Sequence, residues 1–370
     1  MTARVDQTGL RILMTLDAVG GVWRYAIDLA NSLKPTGIDW VFLGFGPAPS
    51  KAQREEAESV GAVHWSKAPL DWMANDDSAL PAIAEEIHRL SQQETTDLLH
   101  LNLPSQAAWI PAGLPVVAVS HSCVPTWFAA VRGGPPPGPW SWHHDANRRG
   151  FDRADLVLAP SASHAAALMR TYGPIENLQV VHNASRRPRQ TGRRDGTVLA
   201  AGRWWDEGKN GAVLDAAAKL GHHPITVIGS NSGPSGASMQ FDHAHYLGSL
   251  AHDTAMKWMD KASIFVSPSV YEPFGLAVLE AANRNTALVL SDIATYRELW
   301  EGAAVFVDPE DPGAFADAID RLLEDEAHAA VLAASAKSRA SHYSAAAQRD
   351  AMHRHYHRTL ASAGVLEWVG

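Results

Sequence analysis

Ser267-Pro-Ser-Val-Tyr-Glu-Pro-Phe-Gly-Leu-Ala-Val-Leu-Glu280 reads as a strand end, a tight turn and the first turns of a helix. Glu272 stands at the turn and Glu280 follows eight residues on, an expected two helical turns inside. Pro273 suits the first helical position, where its missing N–H would have been unpaired anyway. The amides of Phe274, Gly275 and Leu276 then point out of the helix N-terminus, which carries about +0.5 of a charge and readily accepts phosphate. The segment so offers an anion seat flanked by two carboxylates able to accept from hydroxyls. A sugar nucleotide carries both kinds of group. A Glu-Pro turn that merely caps a helix has the same spacing, so other sequence features must decide between the two.

The rest of the chain alternates strand-like and helix-like runs. Expected strands are 10–16, 39–45, 98–101, 116–120, 156–159 and 179–182, then 197–202, 225–228, 263–267, 287–290 and 305–307. Helical periodicity is clearest over 22–33, 78–91 and 161–172, and later over 211–220, 274–282, 312–324 and 344–360. Short strands alternating with helices predict parallel sheets covered on both faces. The two sets predict an N-terminal domain over 1–185 and a C-terminal one over 195–343, followed by a last helical stretch. Between them, Ser185-Arg-Arg-Pro-Arg-Gln-Thr-Gly-Arg-Arg-Asp-Gly196 is polar, Arg-rich and aperiodic, and reads as a linker.

A length of 370 residues fits two or three domains. Hydrophobic content of 46% and charged content of 19% place the chain among ordinary globular proteins rather than disordered ones. A formal net charge of −9 argues against a general nucleic-acid partner. Cys123 is the single cysteine, so no internal disulfide forms, in keeping with a reducing, cytoplasmic setting. No run approaches the roughly 18 apolar residues of a membrane span, and 10–16 reads as a buried strand rather than a signal peptide.

Three further stretches stand at strand ends, where open α/β sheets bind ligands. Ala201-Gly-Arg-Trp-Trp-Asp-Glu-Gly-Lys-Asn210 supplies Arg203, with a planar fork for phosphate oxygens, and Lys209, with a compact charge. Asp17-Ala-Val-Gly-Gly-Val-Trp-Arg-Tyr25 supplies Gly20 and Gly21, which permit positive φ and close backbone approach. Val119-Ser-His-Ser-Cys-Val-Pro125 supplies His121, while Cys123 reads as a small packed residue. On residues alone, each could equally be a surface pair, a plain turn or a packed histidine.

Taken together, these stretches resemble retaining glycosyltransferases of family 4. The likeness is strong in the C-terminal half and weaker in the N-terminal half. It implies an α/β GT-B fold, with two Rossmann-like domains whose parallel sheets face an inter-domain cleft and a last helix, 344–370, that packs back on the first domain. It implies a metal-independent enzyme that moves a hexose, with retention, from a nucleotide diphosphate sugar to a hydroxyl of a glycan, lipid-linked or small-molecule acceptor. By the same resemblance, Arg203 and Lys209 hold the diphosphate with the motif-helix amides, and Glu272 holds donor-sugar hydroxyls. Glu280 accepts from the ribose, Gly20 and Gly21 approach the donor phosphate, and His121 touches the transferred sugar. The departing phosphate oxygen takes the acceptor proton, and domain closure excludes water. No cofactor is expected, because the nucleotide sugar is a substrate. The base is not legible, although Tyr246-Leu-Gly-Ser249 is its expected seat. A GT-B sugar-nucleotide epimerase and a non-catalytic nucleotide-sugar binding protein are the alternatives. Asn283-Arg-Asn-Thr-Ala287 departs from the family, which has a Gly-x-Pro turn after the motif helix.

Other signals point elsewhere. Gly44-Phe-Gly46 lacks the third small residue of a dinucleotide fingerprint, since Pro49 stands there. His353-Arg-His-Tyr-His357 is expected to splay its side chains along a solvated helix face rather than hold metal. No Asp-x-Asp, Gly-x-Ser-x-Gly or His-Glu-x-x-His occurs. The loop of Trp127, Phe128 and Arg132–His144 is aromatic and Pro-rich. It reads first as a packed loop, then as an acceptor platform, and last as a weak peripheral contact at the inner membrane face.

Overall fold

The computed structural model describes residues 9–186, 194–234 and 236–365. They divide into two compact units, one running to Asn183 and rejoined from Ala345, the other spanning Ala184–Ser344. Most of the expected linker, 187–193, lies outside the described residues.

The first unit is built on strands β1 (Arg11–Asp17), β2 (Asp39–Phe45), β3 (Ala62–Trp65), β4 (Leu98–Leu101), β5 (Val116–Val119), β6 (Leu156–Ala159) and β7 (Leu178–Val180). They form a parallel sheet in the order β3-β2-β1-β4-β5-β6-β7. Successive strand residues point to opposite faces, so the near-continuous apolar runs feed two cores. Leu13, Val41, Leu43, Leu99 and Val157 pack on one face; Ile12, Met14, Phe42, Leu98 and Leu158 pack on the other. The helix Gly21–Leu33 covers the second face with Trp23, Ala26, Ile27, Ala30 and Leu33, at helical spacing. Met352, Tyr356 and Leu360 of the C-terminal helix Ala345–Ser362 join the same core.

The second unit carries β8 (Thr197–Ala201), β9 (Ile225–Ile228), β10 (His245–Tyr246), β11 (Ala262–Ser267), β12 (Ala287–Ser291) and β13 (Val305–Val307). Its parallel order is β10-β9-β8-β11-β12-β13. Leu199, Phe265 and Leu288 face one core and Val198, Ile264 and Val289 the other.

Both sheets are doubly wound, and in each the strand order reverses once. The reversal lies between β1 and β4 in the first sheet and between β8 and β11 in the second. Loops at the carboxyl ends of those strand pairs diverge and leave a crevice, the usual ligand position in open α/β sheets. In the second unit the two loops are 202–210 and 268–275. They contain Arg203, Lys209 and Glu272.

Strands β3 and β10 were not expected from the sequence. β3 is exposed to half-buried and β10 has only two residues, and both lie at sheet edges, so neither carries an apolar run. Among the described residues, no helix is long and apolar enough to cross a membrane.

Candidate functional site

The two loops of the second unit are joined through their backbones. Val270 N and Tyr271 N donate to Gly208 O at 3.0 and 3.3 Å. Asn210 takes a left-handed conformation at φ 57 and donates its side-chain amide to Pro268 O at 3.1 Å and Pro309 O at 2.7 Å. The other side of the loop is anchored by Trp204, whose buried indole donates to Ile228 O at 2.8 Å. This bracing brings the Lys209 ammonium onto the Glu272 carboxylate, where they form a hydrogen-bonded ion pair. Both side chains are largely covered, at 17% and 16% exposure, so water screens the pair weakly.

Arg203 is placed differently. Its guanidinium, 37% exposed, lies 3.6 Å from Asp206 and over the Trp205 ring at 5.6 Å. It forms no hydrogen bond or ion pair with Lys209, Glu272 or Glu280, and its fork stays partly open to an incoming anion.

The motif helix begins later than the sequence suggests. It spans Leu276–Asn283, so Pro273 is not its first residue and Glu280 lies just past the first turn rather than two turns in. The delay comes from Phe274, which is buried and packs edge-on against Tyr343 at 5.7 Å. Gly275 then caps the helix at φ 90 and ψ 65, where an L side chain is strained. A Cβ there would also meet the Tyr296 ring at 3.2 Å. The first helical hydrogen bond runs from Leu279 N to Gly275 O at 3.1 Å. The amides of Leu276, Ala277 and Val278 therefore form the positive end, and the Phe274 side chain packs in the core. Glu280 is half-buried, and its main-chain carbonyl accepts from Arg284 Nη1 at 3.0 Å.

The departure after the helix is accommodated by its own residues. Asn285 adopts φ 63, filling the left-handed position that glycine usually takes beyond a helix end. Buried Arg284 pairs with Asp260 at 2.9 Å, and Asn283 donates to Ser185 Oγ at 3.0 Å. Asn tolerates the left-handed region better than Ala, which pays about 1–2 kcal/mol there. Asn285→Ala is therefore expected to lower the thermal unfolding midpoint, and Asn285→Gly to leave it unchanged or higher. A midpoint for Asn285→Ala equal to wild type would refute this account of the turn.

Gly20, Gly21 and His121 lie in the first unit. Gly20 caps the helix Gly21–Leu33 in extended backbone, φ −151 and ψ −152, so positive φ is not what it supplies. The Asp17 carboxylate accepts from Val19 N at 2.9 Å, shaping the approach to that helix. His121 follows β5, half-buried, with Nε2 2.8 Å from Asn102 Oδ1 and its ring edge-on to Tyr25 at 4.3 Å. Burial pushes its pKa down to about 3, with His100 and His164 adding to the effect, so the ring is neutral at pH 7. Burial also raises the Cys123 thiol, as fits a packed residue.

Sequence reasoning missed Asn210, Tyr296 and Asn102. Asn210 could have been found as a turn residue directly before a helix. Tyr296, whose hydroxyl meets Ser267 Oγ at 2.5 Å beneath the motif loop, gave no local signal. His353 and His357 do not splay: four residues apart on one helix face, their Nε2 atoms lie 3.1 Å from each other. Among the described residues, no group of three or more His, Cys, Asp or Glu side chains is arranged to hold a metal ion.

A doubly wound pair of units, with a basic and acidic cluster at one switch point, defines a GT-B type protein. Residues 19–184 match the family described as Glycosyltransferase Family 4, and residues 195–325 match that described as Glycosyl transferases group 1. The chain belongs to this glycosyltransferase family. It is 25% identical over 362 residues to a glycogen synthase of Mycobacterium tuberculosis, covering 87% of this chain and 86% of that protein. It is 26% identical over 388 residues to a D-inositol 3-phosphate glycosyltransferase of Xylanimonas cellulosilytica, covering 91% and 90%. Among solved structures, a sucrose-phosphate synthase from Thermosynechococcus elongatus superposes with a TM-score of 0.78 at 18% identity, covering 95% of this chain and 100% of that one. HepE of Anabaena, solved with UDP and glucose, superposes at 0.72 with 16% identity, covering 94% and 99%.

Proposed function

We propose that this glycosyltransferase moves a hexose, with retention of configuration, from a nucleotide diphosphate sugar to an acceptor hydroxyl. The observation that carries the reading is the Lys209–Glu272 pair at the carboxyl ends of the two strands flanking the second switch point. The ammonium is a ready partner for phosphate oxygens, and the carboxylate beside it for sugar hydroxyls. The binding of UDP and glucose by HepE supports the same class of donor.

In this reading the diphosphate is held by Lys209, Arg203 and the amides that open the motif helix. Their fixed positive charge stabilises the negative charge growing on the leaving group. Glu272 orients hydroxyls of the sugar, and Glu280 accepts from the ribose. In the first unit, the backbone around Gly20 and Gly21 approaches the donor phosphate, and His121 accepts from the transferred sugar. The acceptor proton passes to the departing phosphate oxygen, so no side chain serves as a covalent nucleophile. No cation is required for the diphosphate, and turnover that stops on chelation would overturn that part.

The test is a thermal-shift panel of UDP-glucose, GDP-mannose and ADP-glucose, since a ligand of the native state raises the melting point. No shift with any of them would sink the reading. Donor epimerised in the absence of acceptor would replace transfer with isomerisation. Glu280→Ala is expected to weaken nucleoside diphosphate binding about tenfold with the fold retained, the lower end for a charge-assisted hydrogen bond. Calorimetry giving wild-type affinity would remove Glu280 from the ribose.

A further inference from the structure

His121 is the last member of a buried hydrogen-bond chain that begins on the C-terminal helix. Tyr356 Oη lies 2.6 Å from His100 Nδ1. His100 Nε2 lies 3.3 Å from Asn102 Oδ1, and His121 Nε2 lies 2.8 Å from the same oxygen. Tyr356, His100 and Asn102 are almost completely buried.

The direction of each bond follows from donor chemistry. Asn102 Nδ2 is 2.6 Å from the carbonyl oxygen of Thr15, which can only accept. The side-chain amide is therefore oriented, with Oδ1 toward both imidazoles. The backbone reinforces this: Asn102 N donates to Thr15 Oγ1 at 2.9 Å, and that hydroxyl donates to Gln106 Oε1 at 2.7 Å. Because Oδ1 only accepts, His121 carries its hydrogen on Nε2. His100 Nε2 also lies 3.4 Å from Tyr25 Oη, but a bare Nε2 would set its lone pair against Oδ1, so the His100 hydrogen is placed on Nε2 too. Burial holds His100, like His121, down to about 3, so both rings are neutral and each Nδ1 keeps a lone pair. At His100 that lone pair is taken by the hydroxyl of Tyr356, whose phenol burial keeps protonated. At His121, Nδ1 makes no hydrogen bond among the described residues. Tyr25 fixes the plane of its ring by edge-on packing.

We propose that Asn102 is a positioning residue that locks His121 as the Nε2–H tautomer, so that Nδ1 is presented as an acceptor to a hydroxyl of the transferred sugar. Tyr356, through His100, holds the far end of the lock. An imidazole of the opposite tautomer would present an N–H and could accept nothing at that position. The inference rests on the donor reading above for the identity of the hydroxyl; the tautomer itself is a property of the ligand-free chain.

The experiment is long-range 1H–15N NMR of the full chain labelled at histidine, at pH 7, with His121 assigned by its loss in His121→Gln. Wild type is expected to show Nε2 protonated and Nδ1 bare. Asn102→Ala is expected to show mixed tautomers at His121. Asn102→Asp, whose carboxylate still accepts from Nε2–H, is expected to restore the single tautomer and raise the pH at which His121 titrates, an effect that a purely structural role would not produce. Tyr356→Phe keeps the ring and serves where the Asn102 variants do not fold. Its expected result is a His100 Nδ1 signal moved toward that of a free ring nitrogen. In the kinetic arm, nucleoside diphosphate release from UDP-glucose, GDP-mannose and ADP-glucose is measured, and kcat in Asn102→Ala is expected to fall about tenfold. Nδ1–H at wild-type His121, an unmoved His100 signal in Tyr356→Phe, or unchanged kcat in a folded Asn102→Ala enzyme would each overturn the proposal. A silent thermal-shift panel would instead remove the donor reading, and because the tautomer is read without ligand the two failures are separable.

Discussion

In the Lys209→Ala enzyme, kcat is expected to fall by roughly 30- to 1,000-fold while the protein stays folded. Lys209 carries the ammonium that would oppose charge on the leaving diphosphate, and removing one preorganised stabiliser of developing charge costs about 2–4 kcal/mol in the transition state. The same substitution leaves the Glu272 carboxylate, largely covered, without its ion partner. A carboxylate so stranded adds negative charge beside an anionic substrate, which weakens donor binding as well. Lys209→Arg is not expected to restore the rate, because a planar fork cannot occupy the place of a compact ammonium. Steady-state kinetics with a saturating donor, alongside the thermal midpoint, checks this. A kcat within about threefold of wild type would remove Lys209 from the reacting centre.

Arg203→Ala is expected to slow turnover by about 10- to 150-fold, the loss of one charge-assisted hydrogen bond made in the transition state. Stability is expected to change little. The Arg203–Asp206 pair is separated by 3.6 Å and partly exposed, and such pairs contribute between nothing and about 1 kcal/mol. A large drop in kcat with an unmoved melting point would separate a role in chemistry from a role in folding. Unchanged turnover would reject the assigned role and leave Arg203 as a surface cation stacked on Trp205.

Much of the fold was legible along the chain, because parallel strands buried on both faces leave unbroken apolar runs. Asp39–Phe45, Leu98–Leu101, Leu156–Ala159, Ile225–Ile228 and Val305–Val307 form as strands with the ends that patterning indicates. Where the periodicity was diluted, it failed. Lys51–Glu58 is a polar, exposed helix recognised by its Ser50–Gln53 capping box rather than by an apolar stripe. Trp142–Arg153 hides its buried His143, Asn147 and Gly150 among polar neighbours. The motif helix was placed three residues early because Pro273 is a good first helical residue locally, whereas burial of Phe274 against Tyr343 and the left-handed Gly275 decide the start.

What the order of residues determined by itself was the pair of doubly wound sheets and the strand ends that bear Arg203, Lys209, Glu272 and His121. Periodicity and turn chemistry are local, so they can be read without a structure. Which side chains meet was decided by tertiary structure alone. Lys209 finds Glu272 because Asn210 and the Gly208 carbonyl tie together two loops some 60 residues apart in sequence, as the separation |i−j| of 63 between the paired residues records. Arg203, six positions from Lys209, turns to Asp206 instead. Tyr356 reaches His100 across 256 residues. Partners so remote leave no trace in local pattern, because their energies depend on the burial and orientation that only the packed chain supplies.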